Sequence, residues 1–142
     1  MKKLYKHIFV AGQITASDFP ILVENGIKVI INNRPDQEEP GQLSSAEAEI
    51  LAKEHGIEYH YLPMANGQPL PDNLVADFKQ IVNNTDNAIL THCRSGMRSS
   101  FLWALGQIED GSISVDEAIS AAQNAGIPLA NARAVLESVK PT

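Results

Sequence analysis

Cysteine is almost missing from this 142-residue chain: Cys93 stands alone, so no intrachain disulfide can form and a cysteine-rich metal cluster is excluded. A lone thiol fits a reducing compartment. Positive charge is scarce as well. Lys and Arg total 11 against 17 acidic residues, a formal net charge of −6, which argues against a general nucleic-acid or acidic-membrane surface while leaving room for a local anion site. Long apolar runs are lacking. After the basic start Met1-Lys2-Lys3-Leu4-Tyr5-Lys6-His7, the run Ile8 to Ala11 is too short for a secretory signal or a membrane span. The expected location is cytoplasmic, though a leader trimmed from a longer precursor would leave no trace here. His7, His55 and His60 have no metal-ligand spacing with one another or with Cys93, so neither a metal nor a cofactor is expected.

What is present is enough for one core. Hydrophobic residues make up 44% and charged residues 20%, and no repeat, low-complexity tract or linker divides the chain, so a single domain over residues 1–142 is expected. Short apolar runs alternate with segments of helical period, the pattern of an α/β domain with a central, mainly parallel sheet of about four strands between helices. Strands are expected at Ile8–Ala11, Ile27–Ile31, Ile57–Leu62 and Ala88–Thr91. The β-branched run Ile27–Ile31 reads as the sheet centre, and Ile57–Leu62, with its polar alternation, as lying toward an edge. Helix starts are marked by Thr15 with Asp18, by the box Ser44-Ser45-Ala46-Glu47, by Asp72 and by Ser114 with Glu117. Gly26 and Gly56 close the first two helices. From about 112 to 140 the chain is expected to be helical.

One segment carries chemistry: Thr91-His92-Cys93-Arg94-Ser95-Gly96-Met97-Arg98-Ser99, between a buried strand and a helix. Backbone N–H groups at a helix N-terminus have no partner within the helix and sit at the positive end of its dipole, so they hold an oxyanion directly. Residues 92–99 therefore read as an anion cradle, with Arg94, Ser95, Gly96 and Met97 supplying its wall and Gly96 allowing the inward turn. The same donors, with Arg98 beside them, favour a thiolate on Cys93 and so make it a nucleophile. Ser99 is placed to donate to that thiolate, and His92 to brace the loop through its ring nitrogens. The plain alternative for a lone Cys at a strand end is a small buried hydrophobe; the flanking glycine and two arginines favour the functional loop.

These residues resemble two related Cys chemistries. Cys-dependent phosphatases carry His-Cys-x5-Arg-Ser/Thr, and rhodanese-type sulfurtransferases often have a loop one residue shorter. Cys93 and Arg98 enclose four residues, the shorter spacing, and Ser99 falls where a phosphatase keeps its arginine. The stretches Ala11-Gly12-Gln13-Ile14-Thr15, Val29 to Asp36 (Val-Ile-Ile-Asn-Asn-Arg-Pro-Asp), Glu38-Glu39-Pro40-Gly41-Gln42 and Cys93 to Ser99 together look like the DUF442 family, the phosphatase-like domain of beta-lactamase-hydrolase-like proteins. The likeness covers roughly residues 7 to 110. It implies a dual-specificity-phosphatase-like fold and a link to sulfur metabolism, since relatives occur fused to sulfur-oxidising metallo-hydrolase domains. It also implies a general acid after the strand before the Cys strand. In the frame Pro63-Met64-Ala65-Asn66 that position is Asn66, which does not donate a proton usefully, and Asp72 is the nearest substitute.

Arg34, Asp36, Glu38 and Glu39 leave a strand at its carboxyl end, the edge where ligands bind in parallel sheets. Arg34 reads as a second positive charge for an anionic substrate, and Asp36 as a residue that positions Arg34 or Arg98 or replaces the missing acid. The first expectation is therefore a phosphatase-type hydrolase acting weakly on a small anionic or phosphorylated substrate through Cys93. The second is a sulfurtransferase that forms a persulfide on Cys93. The third is a non-catalytic module that binds an anion or a phosphorylated partner.

Overall fold

The computed structural model describes residues 1–141 and shows a five-stranded sheet in the order β1-β2-β5-β3-β4. Strand β1 is Lys2–Tyr5, β2 Ile8–Ala11, β3 Ile27–Asn32, β4 Glu58–Tyr61 and β5 Ala88–His92. Strands β2 to β5 are parallel. The strand absent from the sequence expectation is β1, which turns back antiparallel onto β2 through Lys6, a residue at φ 52°. It escapes notice because its Lys2 and Lys3 are exposed, as an edge strand's residues can be, and only Leu4 is buried. The β-branched run in β3 is interior but not central. That place belongs to β5, which pairs with β2 on one side and β3 on the other and so puts the Cys loop in the middle of the sheet.

Helices cover both faces. Helix α1 (Phe19–Glu24) and α2 (Ser45–Glu54) pack Phe19, Leu22, Ala48 and Ala52 on Ile27, Ile30 and Leu90 of one face. On the other face, Val10, Val29, Ile31 and Ile89 meet α3 (Leu74–Asn83), α4 (Met97–Glu109), α5 (Val115–Asn124) and α6 (Arg133–Ser138), centred on the buried Trp103 and Phe78. Neighbours Ile89 and Leu90 point to opposite layers, as strand alternation requires. Ile27 and Val29, two apart, also go to opposite layers because the β3–β5 register shifts between them.

Helix starts follow the chemistry of their caps. Pro20 sits in the first turn of α1, where its missing N–H costs nothing, after a 3-10 turn at Ala16–Asp18. Ser44 accepts from Glu47 N–H at α2, and Ser114 and Glu117 close a full box at α5. Asp72 is not a cap: α3 begins after Asn73, with Leu74 N–H bonded to the Pro71 carbonyl. Among the described residues no helix is long and apolar enough to cross a membrane.

Candidate active site

Cys93 follows directly on β5 and is fully buried, while Gly96 is the N-cap of the thirteen-residue α4. The turn between them aims the Gly96 N–H at the Cys93 Sγ, 3.1 Å away. Gly96 has φ 94°, and a Cβ there would stand 3.0 Å from Ile127 and 3.1 Å from Val10. Both the conformation and the space demand glycine. Gly12, at the end of β2, backs the same loop: a Cβ on it would lie 2.7 Å from the Arg94 carbonyl oxygen.

Arg98 lies in the first turn of α4 with its side chain 6% exposed. Its two terminal nitrogens grip both oxygens of Glu38 at 2.8 Å, and Nη1 also donates to the Met64 carbonyl. Glu38 also accepts from Arg34 Nε at 2.9 Å, so one carboxylate ties two buried guanidiniums together. Arg98's hydrogen bond holds the Glu38 carboxyl at about 2, with burial opposing and Arg34 adding to the effect. Glu38 therefore stays ionised. It in turn raises Arg98 above its ordinary value, with a smaller upward pull from Cys93. The bidentate grip leaves Arg98 Nε–H and one Nη2 hydrogen without an oxygen acceptor among the described residues, with Cys93 as the other group acting on the guanidinium, a fork suited to two oxygens of an anion.

Asn33 is the centre of a second network. Its Oδ1 accepts from the hydroxyls of Thr91 (3.0 Å) and Ser99 (2.7 Å), its Nδ2 donates to the Leu62 carbonyl, and its backbone bonds His92 and Met64. All three side chains are fully buried. Ser99 thus donates to Asn33 and not to the Cys93 thiolate, a correction to the sequence expectation, because α4 carries it back over the end of β3. Two amides ending an otherwise apolar strand were the available signal for this network, since a buried amide demands partners.

His92 does not brace the loop as expected: neither ring nitrogen makes a well-formed hydrogen bond among the described residues. Burial pushes its imidazole down to about 4, against a smaller upward pull from the Cys93 backbone. In the unfolded chain the ring titrates near 6.5 and binds a proton that the native state refuses until about pH 4. Stability is therefore expected to be full above pH 6.5 and to fall between pH 6.5 and 4, read as the urea midpoint at a series of pH values. A midpoint flat across that window would show that the ring is hydrated in the native state.

The remaining predicted residues divide. Arg34 is 2% exposed and belongs to the site through Glu38. Asp36 positions neither arginine: both its oxygens accept from Ser45, N–H at 2.8 Å and hydroxyl at 2.7 Å, so it pins the start of α2. Arg94 is exposed and pairs with Glu39, Ser95 is an exposed loop residue whose hydroxyl accepts from Met97 N–H, and Met97 begins α4. Asn66 and Asp72 are exposed in the segment between β4 and α3. Of the Arg34–Glu38–Arg98 triad, the sequence showed only Arg34 and Glu38 among four charged residues at a strand end, with Arg98 apart from them in the Cys loop. A hollow of about 810 Å³ between β4 and α3 includes none of the Cys loop.

Residues 1–110 match the family model of the phosphatase-like domain of beta-lactamase hydrolase-like protein. The chain belongs to this family. This phosphatase-like domain is 33% identical over 111 residues to the beta-lactamase hydrolase-like protein of Agrobacterium fabrum, covering 78% of the chain and 26% of that relative. The counterpart from Xylella fastidiosa strain 9a5c is 30% identical over 132 residues, covering 93% of the chain and 30% of its own length. The domain thus spans less than a third of these curated relatives. A crystal structure of a provisionally assigned phosphatase from Neisseria meningitidis superposes with a TM-score of 0.86 at 33% identity, covering 98% of this chain and 97% of that one. The core catalytic domain of the PP-IP phosphatase Siw14 from Saccharomyces cerevisiae shares the fold, with a TM-score of 0.70, 19% identity and coverage of 98% and 84%. The fold is that of the Cys-dependent phosphatases.

Proposed function

We propose that the phosphatase-like domain is a Cys-nucleophile hydrolase of the protein-tyrosine/dual-specificity phosphatase type, acting on a phosphorylated substrate. One observation carries this reading: Cys93 Sγ sits under the Gly96 N–H at the start of α4, while Glu38 holds Arg98 by one edge and leaves the other free. The Cys93 thiolate attacks phosphorus, the S–P bond forms and the P–O bond to the leaving group breaks, its electron pair departing on oxygen. Loop N–H groups and the free fork of Arg98 stabilise the oxygens of the transition state. Water then attacks the phosphocysteine, giving back the thiolate and inorganic phosphate. Glu38 is held ionised, Asp36 is bound to Ser45, Asn66 donates no useful proton and Asp72 is exposed with no side-chain hydrogen bond among the described residues holding it at the Cys loop, so the leaving oxygen takes its proton from water. Weak turnover, best with leaving groups that are stable as anions, follows.

A second reading is favoured by the four-residue spacing of Cys93 and Arg98 and by the same lack of an acid. The thiolate attacks the outer sulfur of thiosulfate, the S–S bond breaks, sulfite leaves with the electron pair, and Cys93 holds a persulfide that passes to an acceptor nucleophile. A sulfur-oxidising metallo-hydrolase is the partner this reading calls for. Mass spectrometry of the intact protein decides between the two. After quenching with an aryl phosphate, a phosphocysteine on Cys93 is expected; a persulfide after thiosulfate, with no phosphate adduct, would overturn the first reading in favour of the second. No adduct with either would leave an anion-binding module.

A further inference from the structure

We infer that Glu39 is an internal stand-in for a second anionic group of the substrate, so that the site takes a molecule bearing two neighbouring anionic groups. The inference rests on the Cys93 cradle as the place where the first of those groups binds. A single oxygen, Glu39 Oε1, lies 2.8 Å from Arg94 Nη2 and 3.2 Å from Arg34 Nη2. The two arginines reach it from different parts of the chain, Arg94 from the residue after the nucleophile and Arg34 from the end of β3. They converge on it as they would on a phosphoryl or carboxylate oxygen.

The second observation is the state of Arg34. Its side chain is 3% exposed, its Nε donates to Glu38 and its Nη1 to Gln13, yet Nη2 makes no well-formed hydrogen bond although it is buried. A buried guanidinium nitrogen left short of a good acceptor is costly, and Glu39 answers it only as an ionic contact. Glu39 itself is 46% exposed, so its carboxylate can leave for solvent without unpacking the core.

Charge also favours the exchange. Arg34, Arg94 and Arg98 carry three positive charges against the two of Glu38 and Glu39. Glu38 is clamped by two buried arginines and stays, whereas Glu39 is replaceable. With Glu39 displaced, Arg34 and Arg94 face the second anionic group while Arg98 faces the first, and the two positions are joined by Arg34 itself through Glu38. A substrate with one anionic group gains nothing from displacing Glu39.

Calorimetric titration of the full chain with inorganic phosphate and with inorganic pyrophosphate, at matched ionic strength, tests this. Glu39→Gln removes the competing charge and is expected to raise the pyrophosphate-to-phosphate affinity ratio about tenfold, as loss of a like charge facing the ligand should. Arg94→Ala, an exposed position, is expected to lower that ratio below the wild-type value. A ratio that is unchanged in both variants, while phosphate still binds, would overturn the inference and leave the phosphatase reading standing. If neither anion binds the wild-type protein, the cradle itself fails, and the inference falls with it.

Discussion

Replacing Glu38 with alanine is expected to lower the free energy of unfolding by about 3 kcal/mol, the lower end of the cost of removing one partner from a buried charge pair. The reason is that two guanidiniums, on Arg34 and Arg98, lose their common acceptor while remaining 3% and 6% exposed. Residual partners, Gln13 for Arg34 and the Met64 carbonyl for Arg98, keep the loss from being larger. The pH dependence should change with it. Glu38 in the folded protein titrates near 2 against an ordinary 4.5, so the stability it contributes is present above about pH 4.5 and is lost as pH falls toward 2. The variant should lack that part of the acid loss while keeping the His92 part at higher pH. Urea unfolding followed by circular dichroism between pH 2.5 and 7 measures both. A wild-type and variant pair with parallel acid limbs would mean that Glu38 is not the carboxylate that senses acid.

Cys93→Ser carries the larger effect on activity. An alcohol of ordinary acidity replaces the thiol of the proposed nucleophile, so kcat/KM should fall by several orders of magnitude, as in other enzymes that lose the nucleophile of a catalytic unit. The buried Asn33 network with Thr91 and Ser99 does not involve the Cys93 sulfur, so the fold should persist and the unfolding midpoint should move little. The substitution separates chemistry from binding: phosphate should still bind to the loop N–H groups and to Arg98. Turnover retained at more than about a tenth of the wild-type rate would rule out Cys93 as nucleophile in either phosphoryl or sulfur transfer.

Local sequence determined the parts that depend on local physics. Strands β2, β3, β4 and β5 were readable because each is a short apolar or alternating run bounded by turn residues. The cap at Ser44 and the box at Ser114–Glu117 were readable because capping is settled within four residues. The turn that carries Cys93 into α4 was readable for the same reason. Cys93, Gly96 and Arg98 lie within one strand-to-helix turn, and the geometry that points Gly96 N–H at the sulfur is a property of that turn alone.

What the tertiary structure decided is everything that joins distant residues. Glu38 meets Arg98 across 60 positions, and Asn33 meets Ser99 across 66, contacts that exist only because β5 inserts between β2 and β3. Spacing along the chain said nothing of which acid would take the arginine. Asp36, nearer to Arg34 than Glu38 is, was captured by Ser45 at the start of α2, where unpaired N–H groups attract a carboxylate. Ser99 was likewise taken by an amide that strand order placed above it. The residue types of the site are set by the sequence, since a thiol, a positive fork and a glycine turn need particular side chains. Their partners are set by the sheet, because a buried charge or hydroxyl binds whichever acceptor the packed strands bring within reach.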